Sequence, residues 1–350
     1  MFSDYKYDNK ADKHSFTLTE VDLGIINAIR RIILAEIPVV GFYGEDKDEE
    51  PSVEIVFNNG PLHNEFMIHR IGLIPLHINE EITDNYKDGD YEFELNVKNE
   101  GSDIVNITTG NFTGKYKEKQ LTKAELDKIF PTNKISNSKI LITRLRGGEH
   151  IHIKAKAIKR TGKLNASFSP VSLSNFFFIE DKKEADKHDN ILDKQRSYVK
   201  DLYGDPSKVN FQIESMNGLS YKYLFKKALE IMIEKLNKLQ EQLLAREIKI
   251  EQVGSLENSY NFEINGEDDT LGNLIQSLLH NKFIRGKDNK GCSYVGYICP
   301  HPLINQLIVR FTLNTDKQEL FYKFFADNCK EIAKIIEEVK GEWEKFARTT

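Results

Sequence analysis

The chain has 350 residues, of which 39% are hydrophobic and 29% charged, and its formal net charge is −5. That balance belongs to ordinary globular chains, and the length allows two or three domains. The acidic balance excludes a protein that grips nucleic acid over its whole surface, so any DNA contact is expected to be local or made through partners.

The three cysteines, Cys292, Cys299 and Cys329, form no CxxC pair. They read as free buried thiols rather than a disulfide framework or a Cys-rich zinc site. The opening stretch, MFSDYKYDNKADKH, is polar and acidic without an apolar signal core, and no stretch reaches the ~18 uninterrupted apolar residues of a membrane span. A non-secreted protein without a membrane partner is therefore expected.

In chain order, residues 16–19 alternate apolar and polar and predict a strand. VDLGIINAIRRIILAEIPV, residues 21–39, predicts a helix capped by Asp22 and ended by Pro38, with Leu23, Ile26, Ile29 or Arg30, and Ile33 on one face. Residues 79–208 read as a β-rich insert, with alternation over 91–97, 104–108, 139–143 and 150–157. Within it, residues 181–205 are dense in charge of both signs and predict a loop or a partly disordered segment. A long helix over about 219–244 follows. Its Phe225, Leu229, Met232, Leu236, Leu239 and Leu243 recur in steps of four and three, a heptad seam that needs a partner.

The pattern then restarts. A strand over 260–264 leads into a helix over 267–283, capped by Asp268, Asp269 or Thr270, with Leu271, Leu274, Ile275, Leu278 and Leu279 on its apolar face. Strands over 294–299 and 307–313 precede a closing helix over about 317–346, where Phe324, Asn328, Ile332, Ile335, Val339, Trp343 and Phe346 keep nearly the same rhythm. Strand–helix–strands–long helix thus occurs twice, and both short helices begin Leu-Gly, at Leu23-Gly24 and Leu271-Gly272. Two such units would pack about a pseudo-two-fold axis. Fusion in one chain would raise their effective concentration to roughly millimolar.

The expected fold class is α+β: two dimerisation units packed as an intramolecular pseudo-dimer, with a β-rich insert. The expected boundaries are 1–78 with 209–245 for the first unit, 79–208 for the insert, and 246–350 for the second unit. The expected seam comprises Leu23, Ile26, Ile33, Phe225, Leu229, Met232, Leu236, Leu239, Leu271, Leu274, Leu278, Ile332, Ile335 and Val339.

Residues that could carry chemistry read better as scaffold. His63 and His69 are six apart, which turns them about 120° from each other on a helix and away from a shared metal with Glu65. Asp268 and Asp269 read as cap residues rather than a Mg²⁺ pair. His150 and His152 alternate on a strand, and His301 precedes Pro302 in a turn. The sequence carries no Gly-rich phosphate loop, GxSxG or catalytic Cys–His signature. Lys154, Lys156, Lys159, Arg160 and Lys163 form the one basic run, either a solvated strand edge or a contact with a partner or upstream DNA.

VDLGIINAIRRIILAEIPVVGF (residues 21–42) resembles the signature helix of the α-like RNA polymerase subunits: bacterial α, archaeal D and the third-largest subunit of eukaryotic polymerase II. PLHNEFMIHRIGLIPLHI (61–78), GGEHIHIKAKAIKRTGKLNASFSPVS (147–172) and VNFQIESMNGLSYKYLFKKALEIMIEKLNKL (209–239) resemble later parts of the same family. FEINGEDDTLGNLIQSLL (262–279) and VGYICPHPLINQLIVRFTL (295–313) are similar to the small partner, archaeal L or the eleventh eukaryotic subunit. Many relatives carry a Cys-rich metal loop after GLIPL; residues 79–91 hold no cysteine, so no metal is expected there.

The resemblance implies a non-catalytic scaffold joining the largest and second-largest polymerase subunits, with small tenth- and twelfth-like subunits where present and template DNA met only indirectly. Mg²⁺ and zinc are expected only in other subunits. Arg30, Arg31, Glu65 and Arg70 are the candidate docking residues for the second-largest subunit, since Arg suits interface ion pairs. Fusion of this pair resembles the arrangement in large cytoplasmic DNA viruses, which implies host cytoplasm and virion, with the nucleus as the alternative. The rival function is a stand-alone nucleic-acid-binding module that uses the insert.

Overall fold

The computed structural model describes residues 1–44, 52–133, 136–254, 256–286 and 291–350. The chain opens with strands β1 (Phe2–Asp8) and β2 (Lys13–Thr19), helix α1 (Leu23–Ala35) and the short β3 (Val39–Gly41). β4 (Val53–Asn58), α2 (Asn64–Gly72), α3 (Glu80–Asp84), β5 (Tyr91–Lys98), β6 (Val105–Thr108), β7 (Thr113–Tyr116), β8 (Lys119–Gln120) and α4 (Lys123–Ile129) follow, then β9 (Leu141–Leu145), β10 (His150–Lys156) and β11 (Ile158–Arg160). β12 (Val171–Phe178), α5 (Lys182–Ala185), α6 (Ile191–Gln195), β13 (Lys208–Ser215) and α7 (Tyr221–Leu244) come next. The last stretch is β14 (Lys249–Gln252), β15 (Ser259–Asn265), α8 (Asp269–Leu279), a π-helical turn over His280–Arg285, β16 (Cys292–Ile298), β17 (Gln306–Leu313) and α9 (Gln318–Thr349).

Two four-stranded antiparallel sheets, ordered β1-β2-β13-β12 and β14-β15-β17-β16, carry the two units. Period-two alternation sends one face of each strand inward: Val209, Phe211 and Ile213 on β13, and Leu307, Val309, Phe311 and Leu313 on β17. The apolar faces of α1, α7, α8 and α9 complete a single continuous core that runs from Phe16 in the first unit to Trp343 in the last helix. Neither unit keeps a core of its own, so each buries its helical seam in the other.

α7 and α9 lie antiparallel. At one end Tyr221 Oη meets Thr350 Oγ1 at 2.8 Å, Lys222 Nζ donates to Ala347 O at 2.6 Å, and Trp343 Nε1 donates to Lys222 O at 3.2 Å. At the other end Arg246 Nη2 reaches Glu319 at 3.1 Å.

A second, separate core is built from residues between Val40 and Ala157, under the sheet β4-β10-β5-β7-β8 and helix α2. This division differs from the 79–208 insert expected from sequence. β4 pairs with β10, so the insert begins near residue 40, and β12 pairs with β13, which returns residues from 158 onward to the first sheet. Partner strands lie too far along the chain for local alternation to reveal them. Residues 181–205, expected as a loop or partly disordered, hold the short helices α5 and α6 and two isolated bridges, Glu180 with Tyr198 and Lys200 with Pro206. β1 lies in the stretch read as merely polar, and Phe2 there packs against Trp343 with ring centroids 5.2 Å apart.

Candidate assembly interface

α1 and α8 pack against each other. Asp22 caps α1 by accepting from Gly24 N at 2.7 Å, and Asp268 caps α8 by accepting from Thr270 N at 2.8 Å. Each N-terminus is also held by the other helix. Ser277 Oγ donates to Asp22 Oδ1 at 2.8 Å and Asn281 Nδ2 to Asp22 Oδ2 at 2.7 Å, while Arg31 Nε donates to Thr270 Oγ1 at 2.9 Å. Arg31 and Ser277 stand at the same step from their caps, and each reaches the first turn of the other helix: Ser277 at the cap Asp22 itself, Arg31 at Thr270, two residues past the cap Asp268. Gly24 sits where the helices come closest: a Cβ there would lie 2.8 Å from Cβ of Ser277.

An ionic knot closes the same junction. Lys235 Nζ lies 2.6 Å from Glu36 and 2.8 Å from Glu267, and Lys163 Nζ lies 3.2 Å from Glu36 and 3.0 Å from Asp268. Glu36 is only 7% exposed, and both ammonium groups lie against its carboxylate. Burial works against the charge on Lys235, but Glu267 and Glu36 outweigh it and raise its pKa. Burial likewise opposes ionisation of Asp268, yet the Thr270 hydrogen bonds and Lys163 bring its pKa down to about 2.

The candidate docking residues fall on two elements. Arg30, half-buried on α1, donates from Nε to Asn27 Oδ1 at 3.0 Å; burial, with Arg31 beside it, lowers its pKa. Arg31 is engaged inside the α1–α8 junction. Glu65 is exposed in the first turn of α2. Arg70 directs its guanidinium at the backbone of β9, with Nε to Ile142 O at 2.9 Å and Nη2 to Leu141 O at 2.8 Å.

Of the seam residues, Ile26, Ile33, Phe225, Leu229, Met232, Leu236, Leu239, Leu271, Leu274, Ile332 and Val339 are buried, and Leu23 and Leu278 are partly buried. Ile335 is a correction. It is 36% exposed, and Ile336 at 0% takes the inward position. Ile332, Ile336, Val339 and Trp343 step four, three, four; a step of three from Ile332 starts the rhythm on the wrong side.

The sequence did not single out the exposed apolar side chains. Phe66 and Leu73, on and just after α2, are 64% and 58% exposed, and Leu303 and Ile304, between β16 and β17, are 90% and 56% exposed. Only the tertiary structure separates such residues from core. The basic run is largely engaged within the chain: Arg160 with Asp88 at 2.6 Å, Lys163 in the knot, Lys159 Nζ on the carbonyls of Thr83 and Asp84, and Lys156 at 3.9 Å from Glu92. Among the described residues, no three His, Cys, Asp or Glu side chains cluster as a metal set.

The fold is mixed α/β, with two helix-backed antiparallel sheets whose buried residues fall in one core. Residues 15–236 match the profile of the RNA polymerase Rpb3/Rpb11 dimerisation domain, and residues 259–342 match a second profile of the same description. The chain belongs to the RNA polymerase Rpb3/Rpb11 dimerisation domain family. It is similar to subunit 3 of DNA-directed RNA polymerases II, IV and V of Arabidopsis thaliana, 28% identical over 186 residues that cover 49% of this chain and 55% of that protein. It is also similar to DNA-directed RNA polymerases I and III subunit RPAC1 of Homo sapiens, 29% identical over 190 residues, 47% of this chain and 51% of that protein. A conjugation stage-specific protein of Tetrahymena thermophila is 27% identical over 181 residues, 47% of this chain and 55% of that protein. The chain spans about half the length of these relatives.

Proposed function

We propose that the chain is a non-catalytic assembly platform of a multisubunit DNA-directed RNA polymerase, in which two dimerisation units fused in one polypeptide form an intramolecular pseudo-dimer. The observation that carries this reading is the pair of cross-contacts between α1 and α8, Ser277 on Asp22 and Arg31 on Thr270, set in one core that both units share. Two family matches in tandem support the fusion. The kinship to subunits of DNA-directed RNA polymerases supports the complex it serves.

On this reading the platform joins the largest and second-largest subunits, and α2 supplies one docking face. Glu65, Phe66 and Leu73 are exposed there, an apolar pair beside a charge, as interface anchors tend to be. Arg31 then acts one step back, by holding the junction rather than by touching a partner. The rival reading, an insert that binds nucleic acid alone, draws little support from a basic run engaged with the chain's own acids and carbonyls.

The test is affinity purification of the tagged chain from its native source, followed by mass spectrometry. Two co-purifying polypeptides above about 100 kDa (large enough for the polymerase's two largest subunits), with nucleotide-incorporating activity, are expected. Phe66→Ser with Leu73→Ser should lose at least one of them, because each buried apolar anchor contributes roughly 1.5–3 kcal/mol. Recovery of the chain alone at low salt would refute the platform; full recovery with the double variant would refute α2 as the docking face.

A further inference from the structure

Among the described residues, the insert meets the platform along β3 and β11 and at α3. The two cores share no residue, and the divide runs along β3 and the residues after it, where Val39 and Tyr43 join the first core and Val40 and Phe42 the second, and between Ala157 and Ile158 at the start of β11. These two crossings lie side by side: β3 and β11 form a two-stranded antiparallel ribbon, with Ile158 opposite Gly41 and Arg160 opposite Val39. Tyr43 adds an apolar contact at the same place, its ring 6.3 Å from that of Phe168.

Away from the ribbon, the described residues show a cluster of polar contacts between α3 and the first turns of α7, and Lys159 Nζ of β11 also reaches the carbonyls of Thr83 and Asp84 at 3.1 and 3.0 Å. Glu80 Oε1 accepts from Ser220 N at 3.2 Å and from Ser220 Oγ, at the N-terminus of α7. Asp84 Oδ1 accepts from Tyr223 Oη at 2.8 Å and from Lys227 Nζ at 3.1 Å, one turn further along. The backbone at Gly218, in the left-handed region with φ +76°, comes against His77, and a Cβ there would meet the ring at 3.0 Å. Carboxylates at a helix N-terminus are favoured by the helix dipole, and salt screens that attraction wherever it is exposed. Burial opposes the charge on Asp84, but the Tyr223 and Lys227 hydrogen bonds outweigh it and keep its carboxyl below the ordinary range.

We propose that the insert is a hinged arm: the β3–β11 ribbon is the pivot, and α3 is a releasable electrostatic latch on the first turns of α7. A ribbon of three residue pairs resists stretching but bends and twists, so with the latch open the insert swings as a body. The swing carries the exposed Phe66 and Leu73 of the insert with it, so the latch sets where that apolar pair is presented. This inference rests on the two cores and their contacts and does not depend on the polymerase reading.

The test uses the full chain with nitroxide labels at Glu118→Cys on the insert and Lys238→Cys on α7, in a Cys299→Ser background; Cys292 and Cys329 are buried. Pulsed dipolar spectroscopy should give one narrow distance distribution for the otherwise wild-type chain. Glu80→Gln with Asp84→Asn should at least double its width, with unchanged far-ultraviolet dichroism. If that variant folds poorly, raising salt from 0.1 to 1 M on the otherwise wild-type labelled chain tests the same point, because the screening length falls from about 10 to 3 Å. Broadening by either route supports the latch. An unchanged narrow distribution in the folded variant, or in 1 M salt, overturns it.

Discussion

Phe225→Ala tests whether the two units share one core. Phe225 is fully buried on α7 of the first unit, and its ring lies 4.2 Å from that of Trp343 on α9 of the second. It also meets Phe2, Phe16 and Phe211 at 5.7, 5.4 and 5.7 Å, all three edge-on. Truncating a buried Phe costs about 3–5 kcal/mol. Domain stabilities run to only about 5–15 kcal/mol, so the variant should lose a large share of platform stability. Trp343 is the chain's one tryptophan, and it sits in the platform core, so its emission reports on that body and not on the insert. Urea unfolding followed by Trp343 emission should show the loss as a lower midpoint, with a red-shifted native spectrum as water reaches the indole. A stability change below about 1 kcal/mol with an unmoved spectrum would mean that Phe225 and Trp343 do not hold the units together, and the shared-core argument would fail.

Two further outcomes follow from the ionic knot. Lys235→Ala removes the nearer cation from Glu36 while Lys163 still reaches it, so the expected loss is about 2 kcal/mol, below the ~3–5 of an uncompensated buried charge. Adding Glu36→Gln should recover part of it in a thermal melt, and equal melting temperatures for the single and double variants would argue against the pairing. Asp268 titrates lower in the folded state, at about 2 against an ordinary 3.8, so its contribution is full above about pH 4 and is lost as pH falls toward 2. That window contains about 2 kcal/mol. Asp268→Asn should flatten the acid limb of the stability–pH curve, and an unchanged limb would dismiss the knot as an acid-sensitive contact.

Local pattern made much of the platform legible. The heptad steps on α7 name residues that lie inside, because a helix that buries one stripe must repeat near 3.5 residues. Asp22 was readable as a cap from side-chain chemistry alone, and Asp268 as one of three candidates with Asp269 and Thr270. Their second role, accepting from Ser277 and Asn281 in one case and pairing with Lys163 in the other, was not, because those donors lie far along the chain. Arg31 shows the same limit. An arginine on an apolar helix reads as a surface or partner residue until the fold places Thr270 beside it.

The sequence by itself determined the repeated order of elements, the caps and the apolar stripes, since each follows from spacing and side-chain chemistry within about a dozen residues. Only the tertiary structure decided that the core residues of the first and last parts form one cluster, that a second cluster gathers residues from about 40 to 157, and that α3 meets α7 through Glu80 and Asp84. Those facts depend on strand pairing and charge contacts between residues tens to hundreds of positions apart, which the local period of a helix or strand does not encode.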